Sequence, residues 1–165
     1  MSRFQGAGTA GIVTASTGSG TIGGCFATLA GGTANGYKLR RATLGVIATA
    51  AVPVSQQLSV QVFRFTAAPT GGTTVAAQQL DPNTAAAASA FKTNSGAAFV
   101  AGTFAATPSF QVSFNTQSAV DIPWEQLEEW VSTLGTANGL AFFNQANVLP
   151  SAPQHLYTIA LEWEE

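Results

Sequence analysis

Alternation of apolar and polar residues is the feature that most limits what this chain can fold into. The alternation runs through residues 57–66, 109–115 and 155–164. A half-buried β-strand shows this period of two because its successive side chains point to opposite faces. In residues 57–66 both faces carry apolar side chains, which is typical of a strand inside a sandwich or at an interface.

Residues 37–50 are also rich in β-forming residues, but their alternation changes phase. Tyr37 and Leu39 have one parity and Leu44 and Val46 the other, which predicts a bulge or bend near residues 41–43. Turn sequences containing glycine and proline separate the predicted strands. This spacing predicts an all-β fold, an antiparallel β-sandwich of jelly-roll type with about eight strands.

One segment departs from the period of two. Trp124, Leu127, Trp130 and Val131 recur at intervals of three and four, which predicts a short helix near residues 123–132. Asp121 would cap this helix, and a proline two residues later suits its first turn. The alternative is an extended connection in which the two tryptophans close the sandwich.

The first 24 residues consist mainly of Gly, Ala, Ser and Thr and contain few apolar anchors. We therefore expect residues 1–24 to form an extended or flexible N-terminal arm, and residues 25–165 to form a single β-sandwich domain. Twenty extended residues would reach about 65–70 Å, far enough to cross a neighbouring subunit. A flexible leader is the alternative.

Charge is scarce in this sequence. Six Lys/Arg and eight Asp/Glu among 165 residues give a net charge of −2, so the chain lacks the positive charge of a nucleic-acid binder. Leu, Ile, Val and Phe together supply 39 residues, enough for a modest core. The surface must then be neutral and polar, which opposes aggregation poorly. This favours a surface that neighbouring subunits cover.

The sequence contains few residues that could carry catalytic chemistry. His155 and Cys25 are single residues of their kinds, no G-x-S-x-G elbow occurs, and ordinary zinc spacings are absent. Glu125 and Glu129 would share one face of the predicted helix rather than lie across a sugar cleft. We expect no catalytic residue, metal or cofactor. No apolar run is long enough for a membrane helix and no secretory signal is evident, so no membrane partner is expected.

Several segments of residues 37–165 resemble small structural proteins of tailed bacteriophages and related environmental viruses. The segments are TLGVIATAAVPVSQQLSVQVFR, LDPN, SFNTQSAVDIPWEQLEEW, GTANGLAFFNQAN and HLYTIALEWEE. The resemblance implies a jelly-roll sandwich within the virion, in the role of an outer capsid decoration or cement protein, often trimeric. It carries over no active-site residue.

These observations together predict a non-enzymatic virion structural protein that stabilises a capsid by self-association and lattice contacts. Its expected partners are its own copies, in a homotrimer, and the major capsid protein or other virion proteins. Its expected location is the outer capsid surface, after synthesis in the host cytoplasm. The alternatives are a major jelly-roll capsid subunit and a head or tail fibre domain that binds a host or a glycan.

Two sets of side chains are singled out for these roles. The candidate inter-subunit contacts are Tyr37, Arg40, Arg41, Phe63, Arg64 and Phe65. The candidate core anchors are Trp124, Trp130, Phe142, Phe143 and Trp163. For each aromatic residue the pattern favours an ordinary core position over such a contact. The glutamates at 162, 164 and 165 are expected to be solvated or to pair with arginines of a neighbour.

Overall fold

The computed structural model describes residues 1–13, 22–49, 54–125, 129–145, 149 and 154–165. The predicted all-β fold is confirmed, since the described chain forms strands and one short 3-10 turn at Ile22–Gly24. The strands are β1 Arg3–Thr9, β2 Cys25–Ala30, β3 Tyr37–Ala48, β4 Gln57–Ala67, β5 Thr70–Gly71, β6 Thr73–Thr74, β7 Gln78–Gln79, β8 Ala90–Thr93, β9 Phe99–Val100, β10 Thr103–Phe104, β11 Phe110–Asn115, β12 Val120–Pro123, β13 Trp130–Ser132, β14 Gly139–Gln145 and β15 His155–Glu164.

Two antiparallel sheets build the sandwich. Sheet A has the order β12-β3-β15-β1-β7, and β13 also pairs with β3. Sheet B has the order β10-β4-β14-β2-β8-β6, and β11 also pairs with β4. The eight principal strands are β1, β2, β3, β4, β11, β12, β14 and β15. When these strands are numbered first to eighth along the chain, their order across sheet A is first, eighth, third, sixth. Their order across sheet B is second, seventh, fourth, fifth. This is the jelly-roll order.

The inner faces of the two sheets enclose the main core. Phe26 of sheet B stacks on Tyr157 of sheet A with 4.3 Å between ring centroids. The close approach of the two sheets also requires a glycine on β1, because any side chain there would be in the way. A Cβ at Gly6 would lie 2.6 Å from the Phe91 ring, so glycine permits the contact between β1 and β8.

The N-terminal residues belong to this core, which corrects the predicted arm for residues 1–13. Strand β1 pairs with β15 along its full length, from Arg3 opposite Glu164 to Thr9 opposite Thr158. Phe4 is buried, and so are Ala10 and Val13. The segment is ordered because β15 supplies backbone hydrogen bonds and the core accepts the Phe4 ring. Residues 14–21 of the predicted arm lie outside the described residues.

The short helix predicted near residues 123–132 is wrong. Strands β12 and β13 pair with successive stretches of β3, with Ile122 opposite Ala42 and Trp130 opposite Leu39. The extended backbone satisfies the edge of β3, and both tryptophans still reach the core. The spacing of three and four therefore ran from Trp124, which follows β12, into the separate strand β13. Residues 126–128 lie outside the described residues.

The predicted bulge in β3 is confirmed close to its expected place. Glu162 pairs with Arg41, whereas Trp163 pairs with Leu39, so Arg40 is the extra residue. The bulge changes the parity of β3, which lets Leu39 and Ala42 both face the core. It also sets two consecutive arginines beside the carboxylates of β15.

Residues 68–109 form an insertion between β4 and β11, which adds β6 and β8 to sheet B and β7 to sheet A and also covers part of the outer face of sheet B. Its ribbon of β5 and β9 is accompanied by β10, which pairs with β4. Beneath it lies a second apolar cluster, in which Phe143 makes edge contacts with Phe63 at 5.3 Å and with Phe104 at 5.0 Å. The chain therefore covers this half of sheet B by itself.

Candidate interaction surface

Three of the aromatic residues proposed for inter-subunit contact are buried within the chain. The Tyr37 hydroxyl donates a hydrogen bond of 2.9 Å to the Leu29 carbonyl, and burial raises the Tyr37 pKa. Phe63 and Phe65 lie in the cluster beneath the insertion. The candidate role in inter-subunit contact is corrected for these three residues, because β2 and the insertion occupy the places assigned to a neighbour. Their burial agrees with the favoured interpretation as ordinary core residues.

The five candidate anchors divide into two groups. Phe142, Phe143 and Trp163 are 0–1% exposed and belong to the interior. Trp124 and Trp130 are half-buried, at the margin of the main core. The second group therefore keeps surface that another molecule can contact.

Arg40 is enclosed by ion pairs of its own chain. Its guanidinium contacts the Glu129 carboxylate and lies 2.5 Å from Oε2 of Glu164, while Nε of Arg3 lies 2.8 Å from Oε1 of Glu164. Hydrogen bonding from Arg40 is the main reason that the pKa of Glu164 lies below its usual range. Glu164 and Glu129 are both nearly buried, so this charge is neutralised internally.

Arg41 is satisfied in a similar way on the exposed part of sheet A. Its Nε and Nη2 donate to the two oxygens of Asp121, each at 2.7 Å. Thr43 also donates to Asp121, and the pKa of Asp121 is lowered chiefly by the bond from Arg41. The expected pairing between arginines and acidic residues thus occurs within one chain.

Arg64 lies on the opposite face of the β4 backbone from its phenylalanine neighbours and is exposed. Its Nη1 donates a hydrogen bond of 2.8 Å to the Val131 carbonyl, and its guanidinium carbon lies 5.9 Å from the Trp130 ring centroid. Among the six proposed contact residues, Arg64 and Arg41 therefore keep the most accessible head groups.

One side of the sandwich ends in a strand edge that no described strand covers. Strand β11 pairs with β4 from Phe110 opposite Val62 to Asn115 opposite Gln57, and with no other strand of the described chain. Across the sandwich, Phe110 of β11 contacts Trp124, which follows β12, and Trp130 of β13, at the margin of sheet A. We call this side, formed by β11, β12 and β13, the open edge.

Half-buried apolar side chains line the open edge between the two sheets. The ring centroids of Phe110, Trp124 and Trp130 are separated by 6.0–6.1 Å. We call the apolar row the seam; its members are Phe110, Val112, Val120, Ile122, Trp124 and Trp130. Aromatic side chains beside unpaired backbone are characteristic of protein–protein contact sites.

The sequence pointed to part of this surface. Trp124 and Trp130 were recognised as anchors, but the role of β11 as an edge was not. A usable signal was present, because residues 109–120 contain no charge and no proline. Exposed edge strands usually carry such protective residues.

The single histidine and the single cysteine are both buried in the interior of the fold. His155 is buried, and its Nε2 accepts a hydrogen bond of 3.0 Å from the Val54 N–H. Cys25 is buried in the cluster beneath the insertion, and burial raises its pKa. Within the described parts of the chain, no three His, Cys, Asp or Glu side chains are grouped to hold a metal ion. No described helix is long and apolar enough to span a membrane.

Comparison with known proteins gives no relative: the chain matches no protein-family model, no curated protein and no solved structure.

Proposed function

We propose that this protein is a non-enzymatic structural protein of a virion, in the role of a capsid decoration or cement protein. The observation that carries the proposal is the open edge, where the outer edge of β11, which no described strand pairs, lies beside a seam of six half-buried apolar side chains. Such a surface is suited to repeated contact with other protein molecules.

The jelly-roll strand order supports the same proposal. Viral capsid domains use this architecture, as do lectins and cupins, so the fold agrees with the proposal by analogy and does not decide it. The resemblance of residues 37–165 to phage structural proteins adds a reason to favour the virion.

Assembly would act through many modest contacts. Burial of apolar area contributes about 25 cal/mol per Å² before the entropy cost of association. Trp124 and Trp130 supply aromatic area to that contact, and a lattice multiplies the effect of each contact. The proposed partners are copies of this chain, in a homotrimer, and a major capsid protein on the outer capsid surface.

Sedimentation velocity of the purified chain tests self-association. A homotrimer is the expected species, whereas a stable monomer at tens of micromolar would overturn the self-association part of the proposal. Copy number in purified particles tests the role. Hundreds of copies per particle support decoration or shell, and about a dozen would indicate a fibre.

A fibre domain that binds a glycan is the second candidate, and one groove favours it. The groove has a volume of about 310 Å³ and brings together Arg3, Arg40, Glu162, Leu80 and Trp124. Charged donors and acceptors beside an apolar rim suit a polar ligand of moderate size. A glycan array probed with the purified chain distinguishes the candidates, because selective binding that Arg3→Ala abolishes would support the fibre domain.

A further inference from the structure

We propose that two copies of this chain join through their β11 strands, which pair antiparallel about a two-fold axis at Ser113. The two copies of sheet B then form one continuous sheet. This inference rests on the proposed assembly function and names the contact through which it occurs.

The hydrogen bonding of β4 fixes which groups of β11 are free. The carbonyls of Gln56 and Val62 accept bonds from the N–H groups of Thr116 and Ser109. Even-numbered residues of β4 therefore face β11, and the register places even-numbered residues of β11 against them. Because strand residues alternate, Gln111 and Ser113 direct their backbone N–H and C=O groups towards the open edge.

Strand β11 lacks the features that protect the other edges. The outermost strands β6 and β7 have two residues each. Strand β12 contains Pro123 and carries the ion pair between Asp121 and Arg41. Strand β11 has six residues and is uncharged, with no proline or bulge in its pairing. It is thus the longest unguarded edge of the described chain.

A two-fold axis at Ser113 places polar side chains opposite polar side chains and apolar side chains opposite apolar side chains. It sets Gln111 opposite Asn115 of the second copy and Val112 opposite Phe114 of the second copy. Gln111 and Asn115 lie on the polar outer face, whereas Val112 and Phe114 point to the core side. No charged residue occurs in residues 109–120, so the pairing opposes no like charges.

The seam extends the contact beyond the strand itself. Strand β11 is about 20 Å long at about 3.4 Å per residue, which gives a small contact if only its backbone takes part. The seam lies immediately beside this edge in both copies, so Phe110 and Trp124 add apolar area towards the ~1,000 Å² of a specific interface. The occupant that fits both the free hydrogen bonds and the seam is a second copy of the chain.

This contact complements the proposed homotrimer. A three-fold contact closes after three copies, whereas an additional two-fold contact joins one trimer to the next. Pairing through β11 would thus allow an extended lattice.

Cysteine cross-linking tests the pairing and its register. In Ser113→Cys the new thiols face each other across the axis with their Cα atoms about 5.5 Å apart, within disulfide range. Ser95→Cys is the matched control, because Ser95 is also exposed but follows β8 on the far side of sheet B. The native Cys25 is buried and does not compete. Mild oxidation should yield a covalent dimer from Ser113→Cys alone; equal cross-linking of both variants, or of neither, would overturn the register.

Blocking the edge tests the pairing independently of the register. Ser113→Pro removes an N–H that points away from β4, so the fold should survive and circular dichroism should be unchanged. At concentrations where the wild type forms species larger than the homotrimer, the sedimentation mass of Ser113→Pro should fall to that of the homotrimer. If Ser113→Pro does not fold, a charge exchange decides: Ser113→Lys and Ser113→Asp should each lower the mass to that of the homotrimer, and their equimolar mixture should restore the larger species.

The outcomes separate the two proposals. An unchanged assembly mass in the folded Ser113→Pro variant, or in both charge variants, would overturn β11 pairing and leave the assembly function standing. A wild-type chain that sediments only as a monomer would overturn both.

Discussion

The ring of Phe4 stacks on the indole of Trp163, with centroids 6.0 Å apart and an interplanar angle of 28°. The two residues are direct partners across β1 and β15, so the contact joins the first strand to the last. Both side chains are nearly fully buried. The stability of the sandwich therefore depends on a segment that, by composition, looks unable to fold.

Phe4→Ala should destabilise the protein by about 3–5 kcal/mol, because it removes a buried ring and leaves a cavity beside Trp163. Urea unfolding followed by circular dichroism measures the change. Gln5→Ala is the control, since Gln5 points to the outer face of sheet A, and it should change stability by less than about 0.5 kcal/mol. A similar small effect for both variants would contradict the placement of β1 in the core.

The N-terminal strand shows where sequence reasoning lost information. Its inward positions are Phe4, Gly6 and Gly8, and glycine leaves no trace in a hydrophobic pattern. The glycines are needed there because Phe91 and Val75 approach the β1 backbone closely. Alternation identified β4, β11 and β15 well, because those strands pack large side chains inwards.

A local sequence pattern also does not show which part of the protein covers a strand. The apolar character of both faces of β4 was recognised, and both faces are buried. The sequence could not say whether the cover over Phe63 and Phe65 comes from this chain or from another. That answer depends on a long-range contact with Phe99 and Phe104 of the insertion.

Gly6→Ala should destabilise the sandwich by about 1–3 kcal/mol, because its Cβ would lie 2.6 Å from the Phe91 ring. Phe91→Leu should recover part of this loss, which makes the two substitutions non-additive in a double-mutant cycle. Denaturant midpoints of the two single variants and the double variant measure the coupling. Strict additivity would show that the ring does not meet the new methyl group.

Arg40→Gln should destabilise the protein by about 2 kcal/mol, since it weakens hydrogen bonds to two nearly buried carboxylates. Lys38→Gln is the control, because Lys38 lies on the same strand outside this ion-pair network. Unfolding at neutral pH compares the two variants. Equal effects would mean that the charge network contributes little.

Stability should fall in acid through the same network. The pKa of Glu164 is lowered in the folded state from an ordinary value of 4.5, chiefly by Arg40. A lowered carboxyl pKa stabilises the fold above the unfolded pKa, and this contribution disappears as the pH falls from that value through the folded pKa. Urea midpoints from neutral pH down through that range should therefore decrease more steeply in the wild type than in Arg40→Gln. Parallel curves would contradict the assignment.

Cys25 should react slowly with a thiol reagent at neutral pH, because its thiol is buried and its pKa is raised. Phe104→Ala opens the cover over the same apolar cluster and should increase the reaction rate at least about tenfold. Val100→Ala changes an exposed neighbour on the ribbon and should leave the rate unchanged. A fast wild-type reaction would place the insertion away from sheet B.

Tryptophan emission should report assembly at the open edge. Trp163 is already buried in the single chain, whereas Trp124 and Trp130 are half-buried in the seam. Contact between copies at this edge should remove water from the seam, so acrylamide quenching should decrease as protein concentration rises. The folded Ser113→Pro variant should show quenching that does not depend on concentration, and Trp124→Phe should reduce the wild-type change. A concentration-dependent decrease that persists in Ser113→Pro would mean that the seam is covered through a contact other than β11.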